Sequence, residues 1–343
     1  MSKWKIGIVG ASGYSGEELC TILGRHPQVE AVCLTSRQHA GKKLSEVMPK
    51  FVNRGGFGDL RFVEPEISTL TASDAEVFFL ALPHGKAAEF AVPLLKAGKR
   101  VIDISADFRV KSPAVYEEFY GEKHPAPDFL DQGVYGLPEI HREAIRKARL
   151  VASPGCYPTS ILLPLVPLLK AGLIERDSIA VSSLSGVSGA GRKAETTFLF
   201  VECSESARAY GVPKHRHLSE IEQELSSAAK SPVQISFTPH LIPLNRGIYS
   251  TIYCKPTAGA EKKIEETLQA VYKNEIFVRV SDVIPDLKNV VHTNFCDISC
   301  RYDERTGRIL LFSAIDNLVK GAGGQAVQSM NLMAGFDETT ALL

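Results

Sequence analysis

Neither sign of charge dominates this chain: Lys and Arg together number 39, as do Asp and Glu. The basic excess typical of a nucleic-acid binder is missing, which leaves room only for a local patch. No run of about 18 apolar residues is present, so no membrane-spanning helix is expected. The N-terminal residues lead directly into a strand-like segment without an apolar leader, so no secretory signal is expected either. The seven cysteines are scattered and contain no CxxC pair. In a chain of this length a disulfide framework is not expected, and a reducing cytosol is the simpler setting. No Gly-Lys pair is followed by Ser or Thr, which excludes a phosphate loop, and Gly186-Val187-Ser188-Gly189-Ala190 does not complete a GxSxG elbow. Internal repeats and low-complexity segments are also lacking.

What remains is an ordinary globular composition, 44% hydrophobic and 23% charged over 343 residues, enough for two domains. Strand and helix signals alternate through the first 155 residues: strands at 5–9, 29–34, 76–82, 100–104 and 150–152, and helices at 15–24 and 86–96. That alternation predicts βαβ units on a parallel sheet. After residue 155 a long apolar helix (159–170) comes first. Longer strands follow at 178–184, 233–240, 247–254, 290–300 and 308–315, interrupted by helices near 218–229 and 260–272. This predicts an α+β domain with a mainly antiparallel sheet. The expected division is 1–155, 156–319, and a C-terminal helical segment (320–343) that completes the first domain.

Gly10, Gly13 and Gly16 form GxxGxxG directly after the first strand and open the first helix. Such a turn lets backbone N–H groups approach a pyrophosphate at the positive end of a helix. Ser12, Tyr14 and Ser15 lie in the same turn. The second strand ends Leu34-Thr35-Ser36-Arg37, with no acid for a ribose 2′-hydroxyl. Two hydroxyls and an arginine suit a 2′-phosphate, so NADP(H) is the expected cofactor, with Ser36 and Arg37 contributing.

Cys156, in Ser153-Pro154-Gly155-Cys156-Tyr157-Pro158-Thr159, stands where a strand gives way to a helix. The helix dipole there favours a thiolate, and N–H groups can hold an oxyanion. The other six cysteines read as small core hydrophobes. A thiolate nucleophile needs a proton partner, and His215-Arg216-His217 precedes a helix with Glu220 on its first turn. His217 oriented by Glu220 is the expected acid/base. The histidine pair has no Cys or Asp cluster beside it, so no metal site is expected. His84, after a sheet strand, is a further candidate for the cofactor side.

The chain resembles the N-acetyl-gamma-glutamyl-phosphate reductases through segments in one order along its length. These are GASGYSG (10–16), ALPHG (81–85), SADFR (105–109), YGLPE (135–139), SPGCYPT (153–159), SGVSGAGR (185–192), HRH with Glu220, TPHLIP (238–243), RG (246–247) and NLVKGAGGQAVQ (317–328). The resemblance implies an α/β Rossmann domain followed by an α+β catalytic and oligomerisation domain. It implies NADPH-dependent reduction of an acyl phosphate to a semialdehyde through a cysteine thioester, in arginine biosynthesis, by a cytoplasmic homodimer or homotetramer. It further implies Pro83, Asn317, Lys320 and Gly321 on the cofactor. Ser105 and Arg109 are expected on the phosphate, with Arg192 and His215 on the rest of the substrate. Reductases acting on aspartyl phosphate or a carrier-linked aminoadipyl phosphate share most of this set. A non-catalytic NADP-binding redox sensor would share the glycine turn alone.

Overall fold

The strand Trp4–Val9 (β1) is apolar along its inner length, with Ile6, Ile8 and Val9 fully buried. Burial on both faces is the mark of a central parallel strand. In the computed structural model, which describes residues 3–192 and 194–343, β1 pairs in parallel with Val29–Thr35 (β2) and Val77–Leu80 (β4). Met1, Ser2 and Lys193 lie outside the described residues. Adding Phe62–Val63 (β3), Arg100–Asp103 (β5), Gly133–Tyr135 (β6) and Leu150–Ala152 (β7) gives a sheet in the order β3-β2-β1-β4-β5-β7-β6. Strand order reverses between β1 and β4. Ligands of open α/β sheets bind at the carboxyl ends of strands at such a switch point, and the glycine turn follows β1 there.

The first compact unit comprises Met1–Ala114, Lys123–Pro154 and Ala322–Leu343. Its last helix, Gly324–Ala334, packs against the helices Tyr14–Leu23 and Pro138–Lys147. The second unit comprises Val115–Glu122 and Gly155–Gly321. Its sheet contains Ala180–Ser185 (β8), Arg208–Ala209 (β9), Ser236–Leu241 (β10), Ile248–Cys254 (β11), Val278–Val280 (β12), Cys296–Asp303 (β13) and Arg308–Ile315 (β14), in the order β12-β13-β14-β11-β8-β10-β9. Antiparallel pairs predominate, but β8 with β10 and β12 with β13 run parallel. The strand expected over 290–300 begins only at Cys296, because the chain after the 3-10 turn at 287–289 continues as turn and bend through 294.

The helix Cys156–Lys170 is the core of this second unit. It buries 13 of its 15 residues, as a helix apolar on all sides must. It packs on β11 and β14 and against the helices Leu218–Ala229 and Lys263–Tyr272. It starts at Cys156, earlier than the expected 159, because Pro158 sits in the first turn, where a missing N–H costs nothing. Pro167 leaves the Leu163 carbonyl without its usual helical donor, and the Tyr272 hydroxyl donates to that oxygen instead.

Candidate active site

In the first unit, the glycines of the turn do different work. Gly10 has φ +84°, and a Cβ there would lie 2.4 Å from the Ala81 carbonyl oxygen. A Cβ at Gly16 would lie 2.4 Å from the Gly10 oxygen and 2.6 Å from Ala11 Cα. Both positions are therefore required by the fold itself. Gly13 differs: the nearest atom to a Cβ there is 3.7 Å away, an ordinary contact. The protein does not need a glycine at this N-cap, so the open backbone there leaves room for something outside the chain. Around it, the Gly10 N–H donates to Thr35 Oγ1 at 3.1 Å, and the Ser12 and Ser36 hydroxyls are 2.9 Å apart. Tyr14 and Arg37 are exposed, and Ser15 is half-buried. No acid follows β2. The cradle thus fits a pyrophosphate and a further phosphate on the ribose.

Pro83 and His84 are exposed on the turn after β4. Asp107 pins that turn: its carboxylate accepts from the Gly85 N–H at 2.6 Å and the Ala88 N–H at 3.0 Å. Ser105 donates to Asp103 at 3.0 Å and accepts from the Asp107 N–H at 3.1 Å. Burial, reinforced by the nearby Asp107 charge, pushes the Asp103 carboxyl up. Arg109 is 7% exposed. Its Nε donates to the Ser153 carbonyl at 2.8 Å and its Nη2 to the Ile104 carbonyl at 2.9 Å. Arg109 thus links the ends of β5 and β7, while Ser105 braces the loop from Asp103 to Asp107.

In the second unit, Cys156 is the first residue of its helix and is half-buried. The Thr159 N–H is bonded to the Gly155 carbonyl, and Pro158 has no N–H. The first-turn amides of Cys156 and Tyr157 lie at the helix pole where an oxyanion gains most. Glu220 is fully buried, and one of its oxygens accepts from the Gly155 N–H at 3.1 Å. Its other oxygen is 3.9 Å from His217 Nε2. A Cβ at Gly155 would lie 2.6 Å from His217 Nε2 and 2.8 Å from Glu220 Oε1. The imidazole and carboxylate thus rest directly against the backbone preceding Cys156, which only glycine permits. The sequence marks Gly155 within its motif but not this role.

His215 lies behind His217. Its Nδ1 accepts from the His217 N–H at 3.1 Å, and its ring is packed by those of Tyr157, Tyr210, Phe237 and His217. Burial pushes its pKa down to about 4, so it is neutral near pH 7. The structure makes it a support for His217.

Gly321 touches the cysteine: a Cβ there would lie 2.8 Å from Cys156 Cβ. Asn317 is buried, accepts from the Gly247 N–H at 2.7 Å and donates to Ser188 at 3.0 Å. Lys320 is fully buried, with its ammonium 5.6 Å from the Phe277 ring centre. Asn317 thus ties the loop that carries Gly321 to Gly247 and Ser188. Arg192 is exposed on its loop. One cysteine departs from expectation: Cys203 is half-buried on a short helix, with its thiol 3.3 Å from the Thr197 carbonyl, and is not a core residue. Among the described residues no cluster of metal-ligating side chains occurs.

Residues 5–148 match the family model described as semialdehyde dehydrogenase, NAD binding domain, and residues 156–317 the one described as semialdehyde dehydrogenase, dimerisation domain. An N-acetyl-gamma-glutamyl-phosphate reductase of Akkermansia muciniphila is 56% identical, covering 100% of this chain and 99% of that protein. One of Desulfotalea psychrophila is 51% identical, covering 98% and 97%. Among solved structures, aspartate semialdehyde dehydrogenase II of Vibrio cholerae, complexed with ASA, has a TM-score of 0.73 at 18% identity, covering 98% of this chain and 99% of its own. Aspartate semialdehyde dehydrogenase with NADP from Candida albicans has a TM-score of 0.68 at 17% identity, covering 97% and 99%. These two likenesses support the fold alone.

Proposed function

Because the chain belongs to the N-acetyl-gamma-glutamyl-phosphate reductase family of semialdehyde dehydrogenases, we propose that it reduces N-acetyl-L-glutamyl 5-phosphate to the 5-semialdehyde and phosphate, as a step of arginine biosynthesis. The observation that carries this is Cys156 at a helix N-terminus, with His217 and Glu220 seated against Gly155. The Cys156 thiolate attacks the acyl carbon, the carbon–oxygen bond to phosphate breaks, and a thioester forms on Sγ. This divides one difficult step into two easier ones. The thiol proton passes to His217. The Gly10–Gly16 turn with Ser36 and Arg37 would hold NADPH, which would supply the hydride for reduction of the thioester carbon. His217 presents its proton to the oxygen carrying the negative charge, helped by the first-turn amides. The carbon–sulfur bond then breaks, the aldehyde leaves and the proton returns to the thiolate. The proton consumed overall comes from solvent and ends on the released phosphate. Glu220 fixes the imidazole and stabilises its charged form. The test is phosphate-dependent NADP+ reduction with N-acetylglutamate semialdehyde compared with aspartate semialdehyde. Preference for the aspartate compound would refute the substrate, and no phosphate-dependent turnover would leave only a binding module.

Two variants test the cofactor side. Gly13→Ala should leave the melting temperature unchanged and weaken NADPH binding, whereas Gly16→Ala should cost about 1–3 kcal/mol of stability by overpacking. Equal melting temperatures for the two variants would count against this division of labour. Arg37→Ala should weaken NADPH binding roughly tenfold or more, the scale of a charge-assisted hydrogen bond, and leave NADH binding unchanged. Equal losses for both cofactors in a direct titration would remove Arg37 from the 2′-phosphate.

The enzyme acts as a homo-oligomer built on the second sheet, through the face opposite the Cys156–Lys170 helix. Leu184 and Tyr253 are exposed on that face, and Tyr249, Leu310 and Phe312 are half-buried there. Among the described residues no helix is long and apolar enough to cross a membrane, and all seven cysteines are free. Free thiols suit the cytosol, where we place the enzyme.

A further inference from the structure

A cavity of about 440 Å³ opens on the first unit at the amino ends of β1, β4 and β5. Trp4, Glu76, the turn 97–100 and the end of the helix Gly324–Ala334 line it. The glycine turn, the His84 turn and Ser105 follow the carboxyl ends of the same strands, where ligands of open α/β sheets bind. The cavity therefore lies at the other pole of the sheet, apart from the groups assigned to the reaction. Its volume is within the range of small-molecule sites.

Its polar groups are set around Trp4. The Arg100 guanidinium lies over the indole, 5.6 Å from the ring centre, and its Nη1 donates to the Met333 carbonyl at 2.6 Å. These contacts hold the side chain, and among the described residues its Nε and Nη2 meet no acceptor. The Glu76 carboxylate is held beside the same strand, because Oε2 accepts from the Lys5 N–H at 3.2 Å. Its Oε1 has no partner among the described residues. The two backbones are joined, with the Arg100 N–H donating to the Glu76 carbonyl at 2.9 Å. The two side chains nevertheless form no ion pair with each other among the described residues. An acid and a base thus line one cavity, each with hydrogen-bonding capacity to spare.

The charges around them balance. The helices Ala87–Lys96 and Gly324–Ala334 both end at the cavity, so two negative helix poles join Glu76 there. Arg100 and Lys99 oppose them, and the Lys99 ammonium is bonded to the Ser73 carbonyl at 2.7 Å. A lone anion would face Glu76, and a lone cation would face Arg100. A molecule that carries both signs and no net charge suits both side chains. The guanidinium fork matches a planar carboxylate, and a carboxylate oxygen accepts from an ammonium. We infer that this cavity binds a neutral α-amino acid, with its carboxylate on the Nε–Nη2 edge of Arg100 and its ammonium on Glu76. The inference is independent of the reaction proposed above.

The experiment is a calorimetric titration of the whole chain, with NADPH present, by L-glutamine, whose side chain is neutral and polar. One L-glutamine should bind per chain. Glu76→Gln and Arg100→Gln should each weaken binding roughly tenfold or more, the scale of a charge-assisted hydrogen bond, and leave kcat unchanged. N-acetyl-L-glutamine, which lacks the ammonium, should bind the wild type weaker by about the same factor. Arg100→Gln also removes the contact with Trp4, so Glu76→Gln, an isosteric change at an exposed residue, is the deciding variant. Absence of saturable heat up to about 10 mM L-glutamine would overturn the inference. Equal binding of N-acetyl-L-glutamine, or an affinity that Glu76→Gln leaves unchanged, would do the same. Loss of binding after alkylation of Cys156 would place the amino acid at the reaction site, with the same consequence.

Discussion

Replacing Cys156 by serine is expected to abolish turnover, by roughly 10³-fold or more, while NADPH binds as before. The two effects separate because the turn after β1 and Ser36 and Arg37 after β2, proposed to hold the cofactor, belong to the first unit. Cys156 is the first residue of the second unit's central helix. Serine is nearly isosteric, so the first-turn amides and the Glu220 contact to Gly155 should persist. What is lost is the thiolate. A hydroxyl at a helix N-terminus is not ionised near neutral pH, whereas a thiol there gains from the dipole. The wild-type enzyme treated with acyl phosphate and no NADPH should gain one acyl group per chain by mass spectrometry, and the serine variant none. Activity within tenfold of wild type in the variant would remove Cys156 from the mechanism.

Much of this was legible from residue order. The apolar segments 5–9 and 100–104 with the glycine turn between helix and strand signals predict the parallel sheet, because a strand buried on both faces cannot alternate. Cys156 stood out because Pro158 marks a helix start. Short elements were not legible: β3, β6, β9 and β12 have two or three residues each, too few to show a period. The parallel pairing of β8 with β10 was hidden for another reason, since register depends on contacts distant in sequence. At the site, residue type suggested ligands, but only geometry showed which groups the fold had already engaged. Arg109, for example, proves to tie two backbone carbonyls, those of Ile104 and Ser153, which residue order does not show. Gly155 matters for what it lacks, and the absence of a side chain becomes informative only once the neighbouring imidazole is placed.

Exchanging His217 for asparagine is expected to lower kcat by about 10²–10⁴-fold, the range of general acid/base catalysis, with little change in substrate KM. His217 Nε2 faces both Glu220 and the Gly155 backbone, so its proton is at hand where the oxygen of the tetrahedral state develops charge. His215→Asn should cost less. The His215 ring is enclosed by Tyr157, Tyr210 and Phe237, and burial disfavours its charged form down to about pH 4. A group that stays neutral across the working range cannot deliver the proton. Its contribution is the bond from the His217 N–H, which fixes the backbone from which the catalytic imidazole projects. The pH–rate profile separates the two roles. His215→Asn should keep the wild-type shape at a reduced maximum, because no group that titrates near neutrality has been removed. His217→Asn should lose the limb that reports the catalytic proton. If His215→Asn is the more damaging and reshapes the profile, the two histidines exchange roles. If neither variant loses tenfold, the proton comes from another group.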